Sequence, residues 1–343
     1  MSTYENSKSA WRKWFEHAEL SQLLQTEAMT LSGNSRDITI QGQGKYIAAI
    51  KLKFLANVTA SDAETPISGA DVTDFFVDNF RIKSQGKLTE QLFTSGHVIE
   101  HLHQVYLDKE PVVDAPTFSG AGSDVVTADV IIPCSMEGPF NVTYLANLAI
   151  TDLYVADVTL DDANVQINII STDTPPPLVF AFSSQTTSLP AAGNFNVTTL
   201  TQGFLRESLS LMGFAAGDIT TVQYILDDGR GVLYADIVDL TDQFQLKYQT
   251  TMGTLSSPMD SEVLVETAYL SGGVPMPWRG AGRLVITTDS GGAVTPDIVE
   301  VLIATPVSQQ LATGDRAQPT SQRPRTDLSA GGVATGPKPR TRY

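Results

Sequence analysis

Tyr46-Ile47-Ala48-Ala49-Ile50-Lys51-Leu52-Lys53-Phe54-Leu55-Ala56 is the stretch whose reading decides the fold. Tyr46, Ala48, Ile50, Leu52, Phe54 and Ala56 alternate with Lys51, Lys53 and Asn57, the period of two of a strand with one buried face. Phe80 and Ile82 then alternate with Asn79, Arg81 and Lys83. Ser84-Gln85-Gly86-Lys87 turns the chain into a third strand that begins with Leu88, Glu90 and Leu92. About 150 residues later the plan recurs: Leu205, Leu209 and Leu211 alternate with Arg206, Ser208 and Ser210. Thr221 to Leu226 reads as the next strand, Asp227-Asp228-Gly229-Arg230-Gly231 as a turn and Val232 to Val238 as its return. Two β modules of similar design therefore share one chain.

A chain of 343 residues is long enough for two modules that each bury a core. A hydrophobic content of 42% fits a globular protein, and the abundance of β-branched and aromatic residues between Gly and Pro punctuation favours sandwiches over helical bundles. The net charge of −16 opposes general nucleic-acid binding by the body. Cys134 is the single cysteine, so no internal disulfide forms, and its place after Val130-Ile131-Ile132-Pro133 reads as a small buried residue. No apolar segment of signal-peptide type follows Met1, and no window approaches the ~20 apolar residues of a spanning helix. The expectation is synthesis in the cytoplasm. Asn57, Asn141 and Asn196 each open an Asn-x-Thr match, read as chance among strand threonines.

Four segments follow from the order of signals. Residues 1–30 read as an N-terminal helical arm. Trp11, Trp14, Phe15 and Ala18 fall on one helical face, Leu20, Leu23 and Leu24 continue the apolar surface, and Lys8, Arg12 and Lys13 add positive charge. Such a helix either lies in a membrane interface or docks its stripe on its own subunit or a neighbour. Residues 31–175 form the first module, which includes a short inserted helix near 96–107, where Val98, Leu102, Val105 and Tyr106 keep helical spacing. Val125 to Ile132, Asn141 to Tyr144, Leu148 to Asp157 and Asn164 to Ile170 read as its later strands. Pro175-Pro176-Pro177 stops the sheet. Residues 176–306 form the second module, with further strands at Leu178 to Phe182, Phe195 to Leu200, Phe244 to Thr250, Glu262 to Tyr269, Arg283 to Thr288 and Asp297 to Ala304. Residues 307–343 read as a basic flexible tail. Arg316, Arg323, Arg325, Lys338, Arg340 and Arg342 stand against Asp315 and Asp327, a net +4 on an acidic body. That arm suits anionic lipid, nucleic acid or an acidic patch on a neighbouring subunit.

Chemistry is sparse. His97 and His101, at i and i+4 on the inserted helix, are the weak candidates for a metal, with Glu100 and His103 beside them. The spacing lacks the acid placement of a zinc protease, and a polar helix face explains it equally. Asp71, Asp74 and Asp78, then Asp157, Asp161 and Asp162, and finally Asp227 and Asp228 could bind calcium between loops, but none matches an EF-hand loop. They read as solvated carboxylates, with structural calcium as the alternative and no other cofactor expected. There is no Gly-x-Ser-x-Gly elbow, no phosphate-binding Gly-x-x-x-x-Gly-Lys loop and no cysteine cluster, so no catalytic residue is assigned.

Tandem eight-stranded modules, an N-terminal helix and a crossing helix together resemble the double jelly-roll major capsid proteins of the PRD1–adenovirus lineage. In particular, the chain resembles the smaller proteins of membrane-containing bacterial viruses such as PM2 and FLiP. The resemblance is carried by Tyr46-Ile-Ala-Ala-Ile-Lys-Leu-Lys-Phe54, Phe76-Val-Asp-Asn-Phe-Arg-Ile82, the Gly86-Lys87 turn, Val130-Ile-Ile-Pro133, the Gly138-Pro139 loop and Leu153-Tyr-Val-Ala-Asp-Val-Thr-Leu160. It covers about residues 35 to 305, so the basic tail lies outside it. It implies an all-β fold of two tandem jelly rolls and a structural, non-enzymatic protein of a bacteriophage virion. It implies homotrimers that tile an icosahedral shell as pseudo-hexagonal capsomers over an internal membrane. The implied partners are further copies of the chain, penton and minor capsid proteins and viral membrane lipid, with no specific nucleic acid. Trp11, Arg12, Lys13, Trp14 and Phe15 then become the contact to membrane or inner face, and the six basic tail residues a second contact. The competing reading is a tandem β-sandwich binding module, a receptor- or carbohydrate-binding spike, for which Trp278 in Pro275-Met276-Pro277-Trp278 is the aromatic candidate.

Overall fold

The computed structural model describes residues 3–29, 35–40, 45–84, 90–137, 139–177, 179–197, 205–215, 217–225, 231–242, 263–266, 276–277 and 283–304. Among the described residues the first sandwich uses nine strands: β1 (Glu19–Met29), β2 (Ser35–Ile40), β3 (Tyr46–Ala60), β4 (Val77–Ser84), β5 (Glu90–Phe93), β6 (Val112–Asp114), β7 (Gly122–Glu137), β8 (Phe140–Ala146) and β9 (Val158–Thr172). One face has the order β1-β9-β3-β7-β6, and the other contains β5-β4-β8-β2. The second sandwich follows with β10 (Val179–Thr186), β11 (Ala192–Val197), β12 (Leu205–Met212), β13 (Ile219–Ile225), β14 (Gly231–Asp236), β15 (Val263–Glu266), β16 (Met276–Pro277), β17 (Arg283–Asp289) and β18 (Asp297–Ala304). Its faces are β15-β12-β18-β10 and β11-β17-β13-β14. The helices are α1 (Thr3–Glu16), α2 (Val72–Phe76) and α3 (Gly96–Leu107), with a further short helical segment at residues 237–242. None of them is long and apolar enough to cross a membrane.

Alternation explains the strands. In β3, Ala48, Ile50, Leu52, Phe54, Ala56, Val58 and Ala60 are buried, while Lys51, Lys53, Asn57 and Thr59 face outward. β7 lies antiparallel beside it and buries Val126, Ala128, Val130, Ile132 and Cys134 on the same side. Across the core stand Phe80 and Ile82 of β4 and Phe140, Val142 and Tyr144 of β8. The two sandwiches are fused along their backbones. β10 pairs in parallel with β5, Ser183 opposite Leu92, so one continuous sheet runs through both. Every other described strand pairing is antiparallel. The pairing satisfies two edges that would otherwise be open templates.

Two expectations change. The N-terminal helix stops at Glu16, and residues 19–29 are not helical but form β1, paired antiparallel with β9 from Glu19↔Ser171 to Met29↔Ala163. Leu20, Leu23 and Leu24 carry helical spacing, yet an open edge of β9 offers a ladder of hydrogen bonds that local propensity does not outweigh. Leu148 to Asp157, expected as a strand, is a loop with a single 3₁₀ turn at Ile150–Asp152. Leu148 (φ 54°) and Asp157 (φ 57°) both adopt the left-handed region, which no strand tolerates. Its apolar residues anchor the loop instead: Leu153 and Tyr154 are buried, and the Tyr154 hydroxyl donates to the Pro116 carbonyl at 2.9 Å. The expected strand at 244–250, the Asp227-Asp228-Gly229 turn and Trp278 lie outside the described residues.

Candidate functional site

The helix α3 packs against β7 and the ends of β4 and β5, and reaches the second sandwich through His101–Ser210 and Tyr106–Phe182. Ser95 caps its start, the hydroxyl accepting from the Val98 N–H, and Asp108, in the left-handed region, ends it. Val98, Ile99, Leu102, Val105 and Tyr106 fill its buried side. The carbonyls of its last turn have a partner about 95 residues earlier in the chain. The Arg12 guanidinium donates to the Tyr106 carbonyl at 2.6 Å and the Val105 carbonyl at 3.2 Å, and forms an ion pair with Asp108. A cation at a helix C-terminus complements the partial negative charge there.

The neighbours of Arg12 hold α1 against the body. Trp11 is 1% exposed; its indole donates to the Cys134 carbonyl at 2.9 Å, stacks on Phe15 and meets Tyr106 edge-on. Trp14, 6% exposed, donates to the Thr174 carbonyl at 2.9 Å, which ties α1 to the proline linker. Phe15 is half-buried, and Lys13 alone of the five faces solvent. The aromatic stripe is therefore spent on its own subunit, one of the two arrangements its sequence allowed. This end of the molecule also receives the last residue of β18, because Ala304 pairs with Val179 just after the linker. The basic residues Arg316, Arg323, Arg325, Lys338, Arg340 and Arg342 lie outside the described residues.

At the opposite end of β10 and β18, where Thr186 pairs with Asp297, a cleft of about 660 Å³ opens between the sandwiches. Asp297 clips its walls together. Its Oδ1 accepts from the Thr94 hydroxyl at 3.0 Å and the Thr186 hydroxyl at 2.6 Å, and its Oδ2 accepts from Ser95 at 3.2 Å. Thr94 also donates its N–H to the Ser184 hydroxyl at 2.8 Å. Below this polar clip the seam contains aromatic packing: Phe182 of the second sandwich packs on Phe93 and, edge-on, on Tyr106. Phe182, Met212, Val299 and Val301 thereby join the core of the first sandwich, while a separate cluster around Leu211, Val222, Leu284 and Ile286 fills the second.

The histidines do not converge. His97 Nδ1 lies 3.0 Å from Asp71 Oδ2, His101 Nε2 lies 3.0 Å from the Ser210 hydroxyl across the seam, and His103 Nδ1 accepts from the Ile131 N–H at 2.8 Å. His101 is thus a seam residue and no partner of His97 in a metal site. Asp71, His97 and Glu100 bring one polar atom each within 4.8 Å. Asp71 Oδ2 and His97 Nδ1 are committed to each other, so the group reads as a hydrogen-bonded pair beside a buried carboxylate. The acidic loop residues likewise serve local bonds. Asp161 accepts from Thr59, Asp162 from Asn57, and Asp157 accepts from Ser61.

Burial sets the protonation states. Desolvation, then the nearby Lys109 charge, lowers His103 to about 4, so its imidazole is neutral and accepts from the backbone. Burial pushes the Cys134 thiol well up, which leaves no thiolate for chemistry. Burial, helped by the charge of Asp71, raises the Asp74 carboxyl to about 6.

No protein-family model and no curated protein matches the chain. Solved structures do. The major capsid protein of STIV superposes with a TM-score of 0.67 at 14% identity, covering 86% of this chain and 98% of that one. The atomic structure of Sulfolobus Turreted Icosahedral Virus gives a TM-score of 0.66 at 15% identity, covering 86% and 92%. The major capsid protein P2 of bacteriophage PM2 is matched more loosely, with a TM-score of 0.45 at 14% identity over 82% of this chain and 98% of that one. The chain has the fold of the double jelly-roll major capsid proteins.

Proposed function

We propose that this protein is a viral major capsid protein whose homotrimers form pseudo-hexagonal capsomers that tile an icosahedral shell. The observation that carries the reading is the fusion of two sandwiches through one continuous sheet, matched over nearly the whole of the STIV major capsid protein. Three copies of a twin-sandwich block present six similar units around an axis, and closed symmetry then covers the remaining sheet edges. The work is mechanical, with no catalytic residue assigned, and its partners are copies of itself together with vertex and minor shell proteins.

The end bearing α1 and the exit of β18 faces inward in this reading. Lys13 meets an anionic inner layer there, an internal membrane in the simplest arrangement, while Trp11, Arg12, Trp14 and Phe15 secure the helix that presents it, and the six basic residues of the tail supply a second contact to the same layer. Sedimentation and electron microscopy of the purified chain test the assembly. Trimers of hexagonal outline are expected; monomers at every concentration would remove the capsid reading. Co-sedimentation with anionic vesicles that is lost when residues 307–343 are deleted tests the inner-face contact separately.

A further inference from the structure

We propose that the groove between α1, the C-terminal end of α3 and the short edge strand β6 is the docking site for residues 305–314 of the same chain, seated by Val307 and Leu311. The groove encloses about 450 Å³, within the usual size of a ligand cleft. Phe15, Leu107, Val112 and Ile131 supply its apolar walls. Val112 is 69% exposed and Val113 40%, on a strand that pairs with β7 on one side and, among the described residues, with no strand on the other. An open apolar edge of this kind is a template for an extended segment.

Charge and reach select the occupant. Arg12, Lys51 and Lys109 are balanced in the groove by Glu16, Glu110 and Asp129, and Arg12 and Lys51 already have ion-pair partners in Asp108 and Asp129. Such a rim has no surplus charge for a lipid headgroup or a nucleic acid and suits a neutral peptide. Thr305-Pro306-Val307-Ser308-Gln309-Gln310-Leu311-Ala312-Thr313-Gly314 carries no charged side chain, whereas both acids and all six basic residues of the tail lie in 315–343. Pro306 has no N–H with which to prolong the β10–β18 ladder. Val307 and Leu311 stand four residues apart, on one side of the chain whether it is extended or helical. The groove also lies at the end where the described chain stops. Ala304 pairs with Val179, and the Trp14 indole, next to Phe15 of the groove, holds the Thr174 carbonyl five residues before Val179. Those five residues span at most about 18 Å, and the seven from Ala304 to Leu311 reach about 25 Å.

Docking within one chain does not depend on assembly into a shell, so its test stands apart from the capsid reading. Hydrogen–deuterium exchange of the full chain is compared with that of Leu311→Asp, a change beyond β18, and of Leu328→Asp as control. Amides of 112–114 and of 305–314 should exchange about fivefold or more faster in Leu311→Asp than in wild type and be unchanged in Leu328→Asp. Equal exchange in wild type and Leu311→Asp, or the same acceleration in Leu328→Asp, overturns the proposal. Engineered thiols give a second measure, because Cys134 is buried and does not compete. Lys109→Cys combined with Gln310→Cys should close a disulfide within one chain about tenfold or more faster than Asn57→Cys combined with Gln310→Cys, Asn57 being exposed six residues along β3 from Lys51. Equal rates overturn the docking. Disulfides between chains would assign the groove to a second copy and overturn it as well.

Discussion

Replacing Gly96 by alanine tests the packing at the head of α3 with a single methyl group. An ideal Cβ at this position lies 2.3 Å from the Thr73 carbonyl carbon and oxygen and 2.5 Å from the Asp74 nitrogen, all backbone atoms of α2. An ordinary contact needs 3.4 Å or more, so the two helices must separate by roughly 1 Å. Overpacking of this kind costs about 1–3 kcal/mol. The separation also stretches the 3.0 Å bond from the Gly96 N–H to Asp74, a bond to an acid worth about 1.5 kcal/mol or more. The combined expectation is a loss of about 3 kcal/mol, lessened by whatever helical propensity alanine returns. Urea unfolding followed by circular dichroism measures it as a lowered midpoint at unchanged slope. Gly120→Ala, where the added methyl meets nothing within 4 Å, is the matched control and should fall within about 0.5 kcal/mol of wild type. A Gly96→Ala protein as stable as that control would show that α2 and α3 are not locked at this corner.

Asp297→Ala leaves the hydroxyls of Thr94, Ser95 and Thr186 without their shared acceptor and should cost about 2 kcal/mol, seen in calorimetry as separation of one unfolding transition into two. A single unshifted transition would show that the clip contributes nothing to the seam. His103 predicts acid sensitivity. Its affinity for a proton falls on folding, so the stability it allows is complete above pH 6.5 and is lost as the pH falls toward 4, by about 3 kcal/mol at most. His103→Gln should flatten the acid limb of the stability profile, and an unchanged limb would place the titrating group elsewhere.

Much of this architecture is legible residue by residue. The alternation in 46–56 identifies both the strand and its buried face, because a pleated strand turns successive side chains to opposite sides whatever surrounds it. The crossing helix near 96–107 is readable for the same kind of reason, its apolar residues recurring at helical spacing. Leu20, Leu23 and Leu24 mislead because their spacing is equally helical while the deciding hydrogen bonds come from β9, some 140 residues away. Leu148 to Asp157 misleads because two left-handed residues, neither of them glycine, are held there by tertiary contacts.

The sites divide along the same line. Arg12 is visible as a cation near two tryptophans, but its role as a cap for α3 depends on chain segments about 95 residues apart meeting in space. Phe182, Ser210 and Asp297 carry no local signal at all, since a lone aromatic, serine or aspartate on a strand looks alike wherever it points. Taken alone, then, the sequence determined that the chain is built of two β modules with a helix between strands of the first, because backbone periodicity is a local property. Only the tertiary structure decided that β5 and β10 fuse the modules into one sheet, that α1 is spent on its own body, and that Asp71, Asp74 and His97 share a corner. Those outcomes follow from which distant edges and charges come within hydrogen-bonding reach.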